Sequence, residues 1–292
     1  MLEKLVRDDD ALQAIFEKVS NTHRWGSDDV LGTLNFIDAA KRVEAARLVT
    51  EGLSVSLSRP FKPDVQHMVF VGSGEASAYD YFGVACHGLV NTHLDALAHS
   101  QFEGRMYNGV PITESFKRDG VHYGAITAQG DGIFTRGVLL DVAGALGLEW
   151  FPPGSGITVA DLEAAEQMAG VTVGRGDALF VRCGFLDYVA GHGIPSARPG
   201  LLPETYEWMH EREIAVYGGD CTEPIPYPSD RFTYPLHAIG LVSMGLILLD
   251  HPEVERLADT CRELGRYEFL LTVAPLLLEK GTGSPVNPVA TF

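Results

Sequence analysis

The sequence has few cysteines and no apolar run long enough to cross a membrane. Its four cysteines are scattered over 292 residues without a CxxC pair, so the spacing typical of a thiolate metal site or a redox centre is absent. A transmembrane helix needs about 20 consecutive apolar residues, and the first ten residues also lack the apolar core of a secretory signal. We therefore expect a cytoplasmic protein whose cysteines are buried, reduced thiols.

Basic residues are also scarce. Lys and Arg number 22 against 39 for Asp and Glu, which gives a formal net charge of −17 at pH 7. An acidic exterior repels nucleic-acid phosphates and anionic membrane surfaces, so we expect neither as a partner. With 46% apolar residues the chain can bury a full core, and we predict a globular protein that acts on a small molecule.

Apolar spacing and capping residues predict both helices and strands. The first fifty residues carry apolar side chains at helical spacing, and Asp38 precedes a second helical segment. From residue 53 onward, short β-branched runs alternate with helical segments, with Thr158 and Pro203 at two helix starts and Gly170 at a helix end. The apolar run over residues 268–278 is predicted to form one long buried strand.

These patterns predict an α/β fold: a single mixed-sheet domain preceded by an N-terminal helical arm. Residues 1–52 are predicted to form the arm and its loop, and residues 53–292 to form the main domain. No internal repeat, low-complexity segment or long linker divides the chain.

Three histidines and one aspartate lie within thirteen residues: His87, His93, Asp95 and His99. In an extended segment, the side chains of His93 and Asp95 leave the same face because they are two residues apart. If a helix begins near Thr92, Asp95 and His99 lie one turn apart on a single face. A junction of a strand with a helix would direct these side chains to one point.

The neighbours of Asp95 favour a metal site over a purely structural role. A single histidine is more often a hydrogen-bonded core or surface residue than a ligand, and HxDxxxH alone is a loose pattern. Residues 96–98, however, are small or apolar and place Asp95 against the core. A buried carboxylate needs a counter-charge, which a divalent cation flanked by imidazoles supplies. Mixed nitrogen and oxygen ligands suit Zn²⁺ or Mn²⁺.

The segment NTHLDALAH resembles the signature HxGTHxDxPxH of the metal-dependent cyclase-like amidohydrolases, the family of bacterial kynurenine formamidase and isatin hydrolase. It matches directly at Thr92, His93, Asp95 and His99. Further similar segments occur along most of the chain, among them WGSDDVLGTLN, GDALFVRCG, VYGGD and PLH. The resemblance implies a β/β/α swivelling-type domain and a homodimer or homotetramer.

The resemblance also implies roles for individual residues. His93 and Asp95 correspond to metal ligands, with the aspartate bridging where two metals bind. His99 corresponds to the histidine that donates and accepts protons. In two-metal members a late histidine and an acid complete the site, and the matching positions are His237 and Asp250. The cofactor implied is one or two divalent ions.

The motif departs from the family pattern at several positions. The first motif histidine is replaced by Leu89, whereas His87 lies two residues earlier and would reach the metal if the segment bulges. Asn91 stands in place of the motif glycine, and Leu97 in place of the proline. The late acid is Asp250, one methylene shorter than the glutamate of kynurenine formamidase.

Four residues outside the motif allow a structural and a functional interpretation. His237 follows a helix start, where it would either bind metal or cap and pack. Asp250 would either bind metal or cap the helix over residues 253–261. Asp220 ends a strand and would line a pocket or form an Asx turn. Arg182 would meet a substrate carboxylate or pair with a buried acid.

A cation at this site lowers the pKa of a bound water from about 15.7 towards about 7 and polarises a carbonyl. We predict a hydrolase of C–N bonds in amides or imides, or C–O bonds in lactones or esters, with His99 as general acid and base. No GxSxG or GxxxxGK[ST] motif indicates serine-nucleophile or phosphate-loop chemistry. Aromatic residues near the motif fit a small cyclic or aryl substrate: Trp25, Phe70, Tyr79, Tyr81, Phe82, Phe102 and Tyr107.

Two other interpretations stay open. Because Leu89 occupies the first ligand position, the protein would be a non-catalytic small-molecule binder if its metal site is incomplete. The same metal and base would also serve a cyclase or a dehydratase.

Overall fold

The structure, a computed structural model, describes residues 8–61, 67–73 and 77–292. In these residues the strands are β1 Ser54–Ser56, β2 His67–Ser73, β3 Ser77–Gly83, β4 His93–Asp95, β5 Phe116–Lys117, β6 Gly120–Val121, β7 Ile133–Asp141, β8 Gly156–Ile157, β9 Ala178–Arg182, β10 Gly200–Leu201, β11 Val216–Gly219, β12 Ile247–Asp250, β13 Glu268–Val273, β14 Gly283–Pro285 and β15 Val289–Thr291. The α-helices are α1 Asp9–Lys18, α2 Ala39–Ala46, α3 Ile112–Ser115, α4 Val142–Ala145, α5 Val159–Ala169, α6 Phe185–His192, α7 Glu204–Glu211 and α8 Glu255–Leu264. A π-helix spans Leu236–Met244, and 3₁₀ turns span Gly32–Phe36, Leu97–His99, Tyr107–Gly109 and Ile126–Gln129. None of the helices in the described residues combines the length and apolar character that crossing a bilayer requires.

In the described part of the chain, nine strands form one mixed sheet in the order β1-β15-β13-β7-β9-β11-β12-β4-β14. The neighbouring strands β7, β9, β11 and β12 run parallel, and the strands on either side of them pair antiparallel. Strand β9 is buried along its whole length, as expected of a parallel strand that is covered on both faces. The predicted α/β fold with a mixed sheet is confirmed.

The N-terminal helices pack on the main body of the protein. Asp8 caps α1 and Asp38 caps α2, in each case by accepting a hydrogen bond from a backbone N–H three residues later. Leu12 and Ile15 of α1 are fully buried, and α1 packs against the π-helix. The predicted first helix also included residues that lie outside the described part of the chain. The cap at Asp38 is where the sequence predicted it.

Helix α5 shows how strongly local sequence sets an element's ends. Its N-cap is Thr158, whose hydroxyl accepts from the backbone N–H of Asp161, while the Asp161 carboxylate accepts from the N–H of Thr158. Gly170 ends the helix in the left-handed conformation at φ 66°. Both boundaries agree with the sequence prediction.

The final strand is shorter than predicted. Strand β13 ends at Val273 rather than continuing to residue 278. Pro275 has no N–H to donate to a neighbouring strand, which stops the pairing. The leucines that follow lie at the surface, and Leu277 is 70% exposed. The prediction that this apolar run is buried throughout is therefore wrong.

Arg182 holds a buried ion cluster at the end of β9. Its Nη1 lies 2.9 Å from Asp141 Oδ1, and its Nε lies 2.5 Å from Glu255 Oε2. Asp141 is directly opposite Arg182 on β7, and both side chains are almost fully buried. Of the two interpretations for Arg182, the structure therefore shows pairing with buried acids.

We expect Arg182→Met to lower the free energy of unfolding by about 3–5 kcal/mol, because it leaves buried carboxylates without a counter-charge. Urea denaturation measures this change. Arg256→Met, on the exposed side of α8, is the matched control and should stay within about 0.5 kcal/mol of the parent protein. Equal losses in the two variants would contradict a stabilising role of the cluster.

Candidate metal centre

Strand β4 positions the centre and pairs with a strand on each side. His93 and Asp95 are its first and third residues, so their side chains leave the same face. Asp250 of β12 lies directly opposite His93, which brings a second carboxylate to that face. Gly283 of β14 lies opposite Asp95 on the other side. The register of three strands therefore gathers one histidine and two acids from distant parts of the chain.

The His93 imidazole is fixed in one orientation. Its Nδ1 donates to the backbone carbonyl of Asn91 at 2.9 Å, which leaves Nε2 as the nitrogen that faces the carboxylates. This Nε2 lies 3.5 Å from Asp95 Oδ1, and the ring is almost fully buried. Metal-binding histidines commonly donate their second ring nitrogen to a backbone carbonyl in this way.

The Asp95 carboxylate is fully buried and only half satisfied. Its Oδ1 accepts from Nδ1 of His87 at 2.9 Å, whereas its Oδ2 has no hydrogen-bond partner among the described residues. The Nε2 of His99 lies 3.9 Å from Oδ2. A buried carboxylate oxygen without a donor is costly. The surrounding nitrogen and oxygen donors fit a divalent cation, which would neutralise this charge.

Two groups of potential ligand atoms share Asp95. One consists of His87, Asp95 and His99, and the other of His93, Asp95 and Asp250. Within each group, one ligand atom from each residue lies within 4.8 Å of the others. Because a carboxylate has two oxygens, Asp95 can serve both groups at once.

His87 rather than Leu89 approaches Asp95. Leu89 is 47% exposed, while the His87 ring is held between Asp95 and Thr282, whose Oγ1 lies 2.9 Å from His87 Nε2. Gly283 leaves the room for this ring, because a Cβ at that position would come within 2.6 Å of the imidazole. The histidine two residues before the usual motif position thus enters the cluster.

His99 follows β4 on a 3₁₀ turn and not on an α-helix. No α-helix begins near Thr92, so the one-turn spacing of Asp95 and His99 considered from the sequence does not occur; after the strand, backbone N–H groups bond to distant carbonyls, as that of Ala98 does to Gly124 at 3.0 Å. The His99 ring stacks on His87 with centroids 3.7 Å apart. Burial lowers the pKa of His99 to about 4, so the free imidazole is neutral at pH 7.

His237 lies near the start of the π-helix, between two buried carboxylates. Its Nε2 is 3.7 Å from Asp250 Oδ2, and its Nδ1 is 3.5 Å from Glu223 Oε2. Burial disfavours the charged imidazole, but the two carboxylates raise the pKa of His237 well above its ordinary value. Asp250 is not a helix cap, since α8 begins after Val254 without a side-chain cap. Both late residues therefore belong to the cluster.

These residues surround a cavity of about 460 Å³. Among the histidines whose side chains the structure describes, five line it: His87, His93, His99, His237 and His251. His251 and Glu223 were not predicted from the sequence. In the sequence, the only sign of a role for His251 was its position directly after Asp250. Burial lowers the pKa of His251 to about 4. Glu223 is an isolated acid in a proline-rich loop, and nothing local in the sequence marks it.

Other residues considered from the sequence have structural roles. The Asp220 carboxylate accepts from the backbone N–H groups of Cys183 and Phe185 at 2.7 and 2.6 Å and so holds the start of α6. Cys86 is half-buried, whereas the other three cysteines are buried as predicted.

Among the aromatic residues named for the substrate wall, Phe102 lines the cavity. Tyr107 is fully buried and donates to Asp29, and Trp25 packs on Phe36. Tyr81 and Phe82 are exposed, and the side chains of Phe70 and Tyr79 lie outside the described part of the structure. The wall is completed instead by Phe232 and Tyr234, far along the chain.

The sequence of this protein matches a family model, and this match defines the class of protein to which the fold and the site belong. The Cyclase family model matches residues 55–224, which is more than half of the chain. The chain therefore belongs to the Cyclase family, and the resemblance seen in its motif is confirmed. No curated protein matches the sequence.

Solved structures of similar proteins cover most of the chain. A crystal structure described as a novel cyclase has a TM-score of 0.85 and 28% identity, over 94% of this chain and 99% of that one. Isatin hydrolase A from Ralstonia solanacearum has a TM-score of 0.60 and 19% identity, over 82% of this chain and 91% of its own. Isatin hydrolase A from Labrenzia aggregata has a TM-score of 0.61 and 18% identity, over 84% and 94%. The two isatin hydrolases share the fold.

Proposed function

We propose that the protein is a metal-dependent hydrolase that opens a C–N bond of an amide or imide, or a C–O bond of a lactone or ester. The observation that carries this proposal is the Asp95 carboxylate, which is buried, lies among imidazoles and has one oxygen without a hydrogen-bond donor in the part of the chain that the structure describes. Membership of the Cyclase family and the similarity of the fold to isatin hydrolases support it.

The residues that would hold the metal are His93, Asp95 and Asp250 in one group and His87 with Asp95 in the other. His237, whose Nε2 lies 3.7 Å from Asp250 Oδ2, would add a ligand beside Asp250. Their mixed nitrogen and oxygen donors suit Zn²⁺ or Mn²⁺. When bound, a divalent cation lowers the pKa of a coordinated water towards about 7 and polarises a substrate carbonyl. The Nε2 of His93, whose ring is fixed by the hydrogen bond to Asn91, is already oriented towards Asp95.

His99 would move the proton in this reaction. It lines the cavity and is neutral at pH 7, because burial lowers its pKa to about 4. A neutral imidazole accepts a proton from the attacking water as the C–O bond forms and returns it to the departing nitrogen or oxygen. Stacking on His87 holds the His99 ring in place between Asp95 and the cavity.

The cavity favours a small cyclic or aryl substrate. Its volume of about 460 Å³ falls within the roughly 300–1,000 Å³ typical of small-molecule sites. Phe102 and Phe232 stack at 4.5 Å on one wall, and Tyr234 lies nearby. These rings offer flat apolar surface, while the histidines that line the same cavity present polar groups to a carbonyl.

Metal removal tests the proposed function. The purified protein should contain one or two divalent ions for each chain by elemental analysis, and chelation should abolish hydrolysis of N-formyl aryl amines, isatin-like imides or lactones. Adding Zn²⁺ or Mn²⁺ at a hundred times its Kd should restore activity and raise the free energy of unfolding by about 2.7 kcal/mol.

Each alternative has its own outcome in this experiment. A protein that neither contains nor takes up a divalent ion contradicts the proposal. A protein that binds metal and these compounds without turnover is the non-catalytic binder. Loss of water from a hydroxy acid, or ring closure in place of ring opening, identifies the cyclase or dehydratase.

A further inference from the structure

A second, smaller cavity lies beside the main one. Its volume is about 190 Å³, which is below the roughly 300 Å³ at which small-molecule sites begin. Phe102 lines both cavities. The small cavity is therefore too small to hold a typical ligand by itself, but it adjoins the main cavity at one aromatic side chain.

Phe102 and Arg231 form the wall between the two cavities. The Phe102 ring stacks on Phe232 of the main cavity at 4.5 Å and packs on Phe16 of the small cavity at 5.0 Å. The Arg231 guanidinium lies over Phe102, with its carbon 5.4 Å from the ring centroid. Arg231 itself lines the main cavity.

Arg231 forms hydrogen bonds with two residues that line the small cavity. Its Nε donates to Glu103 Oε1 at 2.7 Å, and its Nη2 donates to Gln13 Oε1 at 2.8 Å. Glu103 and Gln13 both line the small cavity. The guanidinium thus packs on one side of the Phe102 ring. Its hydrogen bonds to Glu103 and Gln13 connect the lining of the main cavity to that of the small cavity.

The backbone at Phe102 is held by hydrogen bonds that do not involve the Phe102 side chain. Phe102 and Arg105 exchange two backbone hydrogen bonds, with N···O distances of 2.8 and 3.0 Å. The backbone therefore stays in place when the Phe102 side chain is shortened. The space that the ring vacates joins the small cavity to the main one.

We propose that Phe102 determines substrate length, because its ring separates the main cavity from the small cavity, into which a longer substrate would otherwise extend. This inference rests on the proposed function, because it takes the main cavity as the substrate site. The parent protein accepts a substrate that extends towards Phe102 by a single aryl ring. A small residue at position 102 admits a second apolar ring into the space between Phe16 and Phe232.

Binding of benzoate and of 4-phenylbenzoate to the metal-loaded protein tests this inference by calorimetry. Phe102→Ala should raise the affinity for 4-phenylbenzoate relative to benzoate by at least about tenfold compared with the parent protein. The kcat/KM ratio for N-formyl-4-aminobiphenyl over formanilide should change in the same direction. Phe102→Leu should give an intermediate gain and serves in place of the alanine variant if that variant does not fold.

Phe16→Ala is the matched control. It removes a ring from the same aromatic cluster and enlarges the small cavity without opening the wall, so both ratios should stay at the parent value. If the Phe102 variants leave both ratios unchanged while the parent protein binds benzoate and hydrolyses formanilide, the inference is wrong and the proposed function stands. Equal gains in the Phe16 and Phe102 variants also overturn it. A parent protein that binds neither acid and hydrolyses neither amide contradicts the proposed function and the inference together.

Discussion

Asp95→Asn should abolish metal binding and lower kcat by at least about 10³-fold. The amide removes the charge that both groups of potential ligands share, while it keeps the size of the side chain. Loss of a metal that stabilises transition-state charge costs several kcal/mol, at about 1.4 kcal/mol for each tenfold change in rate. Elemental analysis and steady-state kinetics on the same preparation measure both effects.

The stability of the metal-free proteins separates a metal ligand from a structural acid. Without a cation the parent protein buries a carboxylate whose Oδ2 has no donor, so metal-free Asp95→Asn should be at least as stable as the metal-free parent. Glu166→Gln is the control: this buried acid pairs with Arg212 away from the cavity, and its replacement should leave metal content unchanged. A large loss of stability in Asp95→Asn with its metal retained would contradict the assignment.

The parts of the structure that depend on neighbours in sequence could be predicted. Asp38 and Thr158 satisfy N–H groups within three residues of themselves, so their helix starts are visible in the sequence alone. The same is true of His93 and Asp95, because alternation along a strand places residues two apart on one face. His237 and Asp250 were identified through the family resemblance and not from local pattern.

The parts that depend on pairing between distant segments could not be predicted. A helix after Thr92 fails to form because Ala96 donates to Thr282 and Ala98 donates to Gly124, so this backbone is satisfied by other segments. His87 reaches Asp95 only because Gly283 on β14 leaves room for its ring. The register of strands, which no periodicity reveals, decides which histidines converge.

Four residues that line the cavity could not be predicted from any local pattern in the sequence. Glu223, His251, Phe232 and Tyr234 line the cavity, yet each stands alone in a loop or at a strand end. Neither spacing nor composition distinguishes such residues from ordinary surface or core positions. Only the fold, which brings the segment after β11 and the end of β12 to β4, shows that they face the same space.

His99→Ala should retain the metal and lower kcat by about 10²–10⁴-fold, the range for loss of a general acid and base. His99 lies 3.9 Å from Asp95 Oδ2, farther than the 2.9 Å between His87 and the same carboxylate, and it follows the strand on a separate turn. Its neutral imidazole is suited to proton transfer. Added imidazole should restore part of the rate.

Metal content decides between the two roles that the geometry allows for His99, since His87, Asp95 and His99 also form one of the two groups of potential ligands. If His99→Ala loses metal to the same extent as Asp95→Asn, His99 is a ligand and the proton must be moved by another group. His122→Ala is the control, because this exposed histidine pairs with Asp119 outside the cavity and its loss should change neither metal content nor kcat. Full metal occupancy with a low kcat, partly rescued by imidazole, is the combination that only a proton-transfer role produces.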